Sequence, residues 1–256
     1  MKLFTQQYGE KDPAVIILHG MLGSGRNWHS IAKILAEKNR ILVPDLRNHG
    51  RSPHSDTHEI NGLVDDVLEL QVREQAAPGV LMGHSMGGLI AFESAFRSPN
   101  TVKALIVIDV APRGHSGNVV QVIEAMRKID LTECGTKDDV NDLLSNTVTD
   151  PLVRQFVMTN LQQEQGFRWR VNLPALYDYL EDIRTYQPSA TDYYEGPALF
   201  LRGDRSDYIV ESDRERIMRH FPLAKIKTVA NAGHWVHYDN PTALLNEIQI
   251  FLQSVM

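Results

Sequence analysis

The stretch Val80-Leu81-Met82-Gly83-His84-Ser85-Met86-Gly87-Gly88 sets the architecture of the chain. An apolar run ends in G-H-S-M-G, and a helix-compatible segment follows at once. The pattern G-x-S-x-G places a serine on a sharp turn between a buried strand and a helix. Its glycines have a physical task. The turn strains the serine backbone, and side chains at 83 and 87 would collide with a neighbouring strand or helix. The geometry lifts the Ser85 hydroxyl into the open and aims the start of the next helix at any charge developing beside it. Only three positions define the pattern, so a chance Gly/Ser turn is the plain alternative, and the flanking sequence decides between them.

Strands and helices alternate on both sides of this turn. Leu3 to Tyr8 reads as a half-polar strand at a sheet edge. Ala14-Val-Ile-Ile-Leu-His19 is continuously apolar and β-branched, as expected of a strand buried on both faces of a parallel sheet. Trp28, Ile31, Ala32 and Leu35 then fall at helical spacing. Ile41 to Pro44 reads as the next strand, and Ile60, Leu63, Val64 and Val67 mark a further amphipathic helix. After Ser85, Leu89, Ile90, Phe92 and Phe96 continue helically towards Pro99, and Ala104 to Ile108 forms another buried strand. This alternation predicts right-handed βαβ crossovers and a mostly parallel, doubly wound α/β sheet.

The alternation breaks after Asp109. Residues 112 to about 195 contain no convincing buried strand but four helical patterns, around Val119/Met126, Val140/Leu144, Leu152/Val157 and Leu173/Leu180. They read as a helical insert seated on the sheet. Pro197 to Leu201 and Lys225 to Val229 resume the strands. Pro241 opens a last helix whose stripe runs through Leu244, Ile248, Phe251 and Leu252. Gly9 to Pro13 and Pro188 to Gly196 read as flexible connections. The expected division is a core over 1–111, a helical cap over 112–195 and the rest of the core over 196–256.

Composition narrows the functional classes. A hydrophobic content of 43% over 256 residues suffices for a sizeable core. A formal net charge of -6 argues against nucleic acid as a partner. Cys134 is the only cysteine, which rules out an intramolecular disulfide and fits a reducing compartment. Met1 to Asp12 lacks the apolar stretch of a secretory leader, and no run is long enough for a membrane span. A soluble cytoplasmic protein is the expectation. The ten histidines form no ligand spacing such as H-E-x-x-H, so neither a metal nor another cofactor is implied.

A serine hydroxyl attacks poorly until a base takes its proton, and histidine is the usual base. His234, in Asn231-Ala-Gly-His234-Trp235, lies between the last strand and the last helix and is the candidate. His237 is a weaker one, and His84 is expected to face away from Ser85. The carboxylate that orients the base has two candidates, Asp109 and Asp207, each following a buried strand. Asp109 would sit about 4.8 Å, one strand spacing, from the serine strand. A carboxylate ending an apolar strand is costly unless paired, and an imidazole N–H is a suitable partner. Donors for an oxyanion are expected from the backbone N–H of Met86 and from the loop His19-Gly-Met21, with Met21 as the second donor.

With these residues placed, the chain resembles the α/β-hydrolase superfamily over 14–110 and 197–256. His19-Gly-Met-Leu-Gly23 is similar to that family's H-G-x-x-G loop, and Asp45-Leu-Arg-Asn-His-Gly-Arg-Ser52 to its D-x-R-x-x-G-x-S loop, here taken as a shaped turn beside the site. The order Ser…Asp…His is also that fold's. The resemblance puts the cap after strand six of the family's sheet. A narrower likeness is to the small YbfF-type esterases, through Asp45-Leu-Arg-Asn-His-Gly50, Val107-Ile-Asp-Val-Ala-Pro112, Ser206-Asp-Tyr208 and Ala232-Gly-His-Trp-Val-His237. In most of the superfamily the segment after the seventh strand reads G-x-x-D. Counting from Gly203, that position holds Ser206, and Asp207 is displaced by one. The YbfF-type pattern implies Asp109 as the acid, ahead of Asp207, with Ser206 helping to hold His234.

The resemblance implies a serine carboxylesterase acting on small-molecule esters with short or medium acyl chains. A serine at 85 counts against the haloalkane dehalogenases and epoxide hydrolases, whose elbow residue is Asp. Thioesterases, C–C bond hydrolases and non-catalytic ligand-binding members of the fold are the alternatives. Leu152, Phe156, Leu173, Leu176 and Tyr177 of the cap are candidates for lining an acyl pocket, although each one is as readily explained by packing within the cap.

Overall fold

The apolar runs become the middle of one sheet. A computed structural model describes residues 1–115 and 117–256. In chain order it contains β1 (Thr5–Tyr8), β2 (Val15–Leu18), α1 (His29–Leu35), β3 (Ile41–Pro44), α2 (Ile60–Arg73), β4 (Gly79–His84), α3 (Met86–Arg97) and β5 (Val102–Ile108). A mainly helical segment follows: α4 (Val119–Lys128), α5 (Lys137–Ser145), α6 (Pro151–Met158), β6 (Leu161–Gln163), β7 (Phe167–Trp169), α7 (Leu173–Asp178) and α8 (Leu180–Thr185). The chain returns through β8 (Ala198–Gly203), α9 (Asp213–His220), β9 (Ala224–Val229), α10 (Val236–Asp239) and α11 (Pro241–Val255).

The main sheet has seven strands in the order β1-β3-β2-β4-β5-β8-β9. Only β1 runs antiparallel, paired with β3 at one edge. Every residue of β2, β3 and β4 is buried. Side chains alternate between the two faces. Val15, Ile17, Val80, Met82 and Ile106 pack with Ile31 and Leu35 of α1 and Leu244 and Ile248 of α11. Ile16, Leu18, Leu81, Leu105 and Val107 pack with Leu63 and Val67 of α2 and Ile90 and Phe92 of α3. The edge strand β9 keeps Lys225 and Lys227 exposed, which guards its free backbone edge against another chain.

From β2 the chain moves outward to β3, then crosses back to β4 on the other side of β2. The order reverses there, and the loops after β2 and β4 open a crevice at the strand ends where open α/β sheets bind ligands. Ser85 directly follows β4, and Met21 lies in the loop after β2.

The inserted segment follows β5, the strand before Asp109, where the sequence places it. Its internal structure differs from the expectation. It contains a hairpin, β6 paired antiparallel with β7 around Gly166 at φ 108°. The pattern expected from Leu173 to Leu180 divides into α7 and α8. Pro188 to Gly196 is irregular but pinned: Tyr194 is buried, and its hydroxyl donates to the Val102 carbonyl at 3.0 Å. The last helix has the expected stripe, and the Asn240 side chain caps it by accepting the Ala243 N–H.

Candidate active site

The turn at Ser85 is strained, and the glycines allow it. Ser85 has φ 52° and ψ -122°. A Cβ at position 83 would lie 2.0 Å from the Gly87 carbonyl oxygen, and one at 87 would lie 2.3 Å from that of Leu18. Neither backbone oxygen can yield, so the close approach of β4, α3 and β2 requires glycine at both places. The Ser85 N–H donates to the Ile108 carbonyl at 3.0 Å, which joins the turn to the end of β5.

Three side chains from distant parts of the chain meet here. Ser85 Oγ lies 3.0 Å from Nε2 of His234. The Nδ1–H of His234 donates to Oδ2 of Asp109 at 2.8 Å, which leaves Nε2 free to accept the serine proton. Asp109 is fully buried and has φ 54°. Its Oδ1 accepts the Gly203 N–H at 3.0 Å, and its Oδ2 also accepts the Ser206 hydroxyl at 2.5 Å. Burial pushes the Asp109 carboxyl up, against the hydrogen bonds from Ser206 and Gly203. Burial pushes the His234 imidazole down, so it is neutral at rest.

The other candidates lie elsewhere. The Asp207 side chain is 85% exposed and faces Nε2 of His115 at 3.8 Å. His84 points past Ser85, and its Nε2–H donates to the His234 backbone carbonyl at 2.8 Å. His237 stacks on Trp28 with ring centroids 4.6 Å apart. Tyr208 lies flat on the His234 ring at 3.5 Å, and His115 lies flat on Tyr208 at 3.7 Å. The sequence offered no signal for the Tyr208 stack or the His84 tether. Both depend on loops whose relative placement only the folded sheet determines.

Met21 and Met86 border the same cavity as Ser85. Among the described residues, neither backbone N–H has a hydrogen-bond acceptor. Met86 opens α3, so its N–H is free by helix geometry. The surroundings of the two residues are built from buried histidines. His19 donates from Nδ1 to the Gly20 carbonyl at 2.8 Å and accepts the Leu46 N–H at Nε2. His49 donates from Nδ1 to the Arg47 carbonyl and accepts the Leu22 N–H at Nε2. The Asn48 amide donates to Nδ1 of His58, so Nε2 carries the proton and meets Met86 Sδ at 3.4 Å. The 45–52 loop holds this group in place. Arg47 forms a paired ionic contact with buried Asp66 of α2 at 2.6 and 2.9 Å, and Asp45 accepts the N–H groups of Gly25 and Arg51.

The cavity over Ser85 has a volume of about 610 Å³, within the usual range for small-ligand sites. Leu89 and Val110 line it from the sheet side, and Val122, Leu152, Phe156 and Val157 from the inserted segment. Leu173 and Leu176 are instead buried in the core, and Tyr177 carries Arg127 over its ring at 3.7 Å. Among the described residues no group of His, Cys, Asp or Glu is arranged to hold a metal ion, and no helix is long and apolar enough to cross a membrane.

Comparison with known proteins gives this geometry a family. The model of the alpha/beta hydrolase family matches residues 15–248. The chain is 38% identical over 254 residues to the sn-1-specific diacylglycerol lipase ABHD11 of Danio rerio, covering 96% of this chain and 80% of that protein. It is 27% identical over 251 residues to esterase YbfF of Escherichia coli strain K12, covering 98% and 97% of the two chains. The solved structure of a marine microorganism esterase superposes with a TM-score of 0.94 at 34% identity, covering 98% of this chain and 99% of that one. The parallel sheet with its reversal at β2, the serine on a strained turn after β4 and the match over residues 15–248 lead to one assignment: the chain belongs to the α/β-hydrolase family.

Proposed function

We propose that the chain is a serine carboxylesterase, with Ser85 as nucleophile, His234 as general base and acid, and Asp109 as the carboxylate that orients it. The observation that carries this reading is the unbroken line of contacts from Asp109 Oδ2 through His234 to Ser85 Oγ, at 2.8 and 3.0 Å, opening into a cavity. Ser85 Oγ attacks the ester carbonyl while Nε2 of His234 takes its proton. Asp109 stabilises the resulting imidazolium and stays ionised. The N–H groups of Met86 and Met21 receive the oxyanion. His234 then protonates the leaving alcohol, and a water deprotonated by His234 releases the acid from the acyl-enzyme. Ser206 donates its hydroxyl to Asp109, which favours the ionised carboxylate against burial.

Residues 112–195 act as the cap of this site, between core segments 1–111 and 196–256. Its Val122, Phe156 and Val157 supply an apolar wall suited to a short or medium acyl chain. The relatives named as an esterase and as a diacylglycerol lipase support carboxylic esters as the substrate class. A lone, partly buried cysteine fits a reducing, cytoplasmic location.

The test is a panel of p-nitrophenyl esters of graded acyl length beside matched acyl-CoA thioesters, with Ser85→Ala as control. The proposal expects ester turnover with short and medium chains, lost in Ser85→Ala. Preferential turnover of the thioesters would reassign the substrate class, and no turnover of either would point to a ligand-binding role.

A further inference from the structure

Three successive peptide planes of the loop after β2 are each held by a separate group. The Gly20–Met21 plane carries the Met21 N–H, and its carbonyl accepts from His19 Nδ1 at 2.8 Å and from the Gly23 N–H at 3.0 Å. The Met21–Leu22 plane is held through the Leu22 N–H, which donates to His49 at 3.2 Å. The Leu22–Gly23 plane is held through the Leu22 carbonyl, which accepts from Asn160 Nδ2 at 2.8 Å. The first two holders come from the core. Asn160 comes from the cap, between α6 and β6.

This loop needs holding. Leu22 has φ 61°, a left-handed conformation that is strained for a leucine. The Leu22–Gly23 plane also carries the Gly23 N–H, which donates to the Gly20 carbonyl of the plane bearing the Met21 N–H, so a rotation of that rigid plane reaches the aim of the Met21 N–H. Asn160 is well placed to resist that rotation. It is 4% exposed, its N–H donates to the Val157 carbonyl at 2.9 Å, and its carbonyl accepts the Arg170 N–H at 2.7 Å. Its backbone is therefore fixed to both α6 and the strand region that follows. A buried amide with no such partner would be costly, so the Leu22 contact also seats the cap.

We infer that Asn160 is a positioning residue for the oxyanion hole: from the cap it grips the Leu22–Gly23 peptide and, with His49 from the core, keeps the Met21 N–H aimed at the reacting carbonyl. The cap thereby takes part in the chemistry as well as in binding. A cap lifted from the core leaves the loop held on one side only, so oxyanion stabilisation is complete only when the cap is seated. This inference rests on the acyl-transfer reading of Ser85.

The experiment compares wild type, Asn160→Leu, Asn160→Gln and Ser85→Ala on one p-nitrophenyl ester, with melting temperature measured on each. Leucine is close to asparagine in size but lacks the donor. In Asn160→Leu, kcat should fall about tenfold, the scale of one net hydrogen bond and less than the roughly 10²–10³ for loss of a direct oxyanion donor. KM should stay within about twofold, since the contact acts on the transition state. Affinity for an alkyl boronic acid, which forms a tetrahedral anion on Ser85, should weaken by the same factor. Asn160→Gln, which keeps an amide donor, should recover part of the loss. Wild-type kcat and boronate affinity in folded Asn160→Leu, or a loss carried by KM alone, would overturn the inference while leaving the triad reading intact. If Asn160→Leu does not fold, Asn160→Asp removes the donor at constant size and is judged by the same two readouts. An inactive wild type, or an active Ser85→Ala, would overturn the acyl-transfer reading and this inference with it.

Discussion

The Nδ1–H of His234 donates to Oδ2 of Asp109 at 2.8 Å, although the two residues stand 125 positions apart. Asp207, closer in sequence, turns an 85% exposed side chain towards His115 instead. Asp109→Asn is expected to lower kcat by on the order of 10⁴-fold, because an amide in that place no longer holds the imidazole in its productive tautomer. Asp207→Asn should stay within about threefold of wild type, as expected for an exposed charge outside the line of contacts. Steady-state ester hydrolysis by both variants checks this, and a larger loss in Asp207→Asn would reverse the assignment.

The acid side of the rate profile follows from the burial of His234. On the proposed mechanism, attack by Ser85 needs a neutral imidazole, so activity should be lost as pH falls through the His234 pKa. Burial lowers that pKa from its ordinary 6.5. The acid limb of kcat/KM is therefore expected at a midpoint below 6.5. A pH–rate profile on a substrate without ionisable groups measures it, and a midpoint above 6.5 would contradict the burial argument.

Acid should also unfold the protein through its other histidines. Burial lowers the imidazoles of His49, His58, His84 and His237, with His58 and His84 brought to about 3. In the unfolded chain they titrate near their ordinary value of about 6.5. Between about 3 and 6.5 the unfolded chain binds more protons, so stability is complete above the window and declines as pH falls through it. Asp109, raised by burial, works in the opposite direction but is a single group. Melting temperature should thus drop between neutral pH and pH of about 5, and less steeply in His58→Gln. A flat profile across that range would show that these histidines are not held neutral.

Much of this was legible in the sequence because the decisive signals are local. Val15–Leu18, Ile41–Pro44 and Gly79–His84 are buried on both faces, so continuous apolar runs mark them without any tertiary knowledge. The glycines at 83 and 87 mark a close backbone approach that admits no other residue. The β6–β7 hairpin was not legible. Leu161-Gln-Gln163 and Phe167-Arg-Trp169 are too short and too polar to show a period. Helix α9 was missed because Asp213-Arg-Glu-Arg-Ile-Met-Arg-His220 buries only Ile217 among its apolar residues. The grip of Asn160 on Leu22 spans 138 positions, and an asparagine in a loop carries no sign of so distant a partner.

The central claim is that Ser85 is the reacting nucleophile, and covalent labelling tests it most directly. A fluorophosphonate should add once to the wild-type chain, on the peptide carrying Ser85, and ester hydrolysis should disappear in step with labelling. Ser85→Ala should neither label nor hydrolyse. Ester hydrolysis that survives in Ser85→Ala, or an inactivating adduct on another residue with the Ser85 peptide unmodified, would contradict the account.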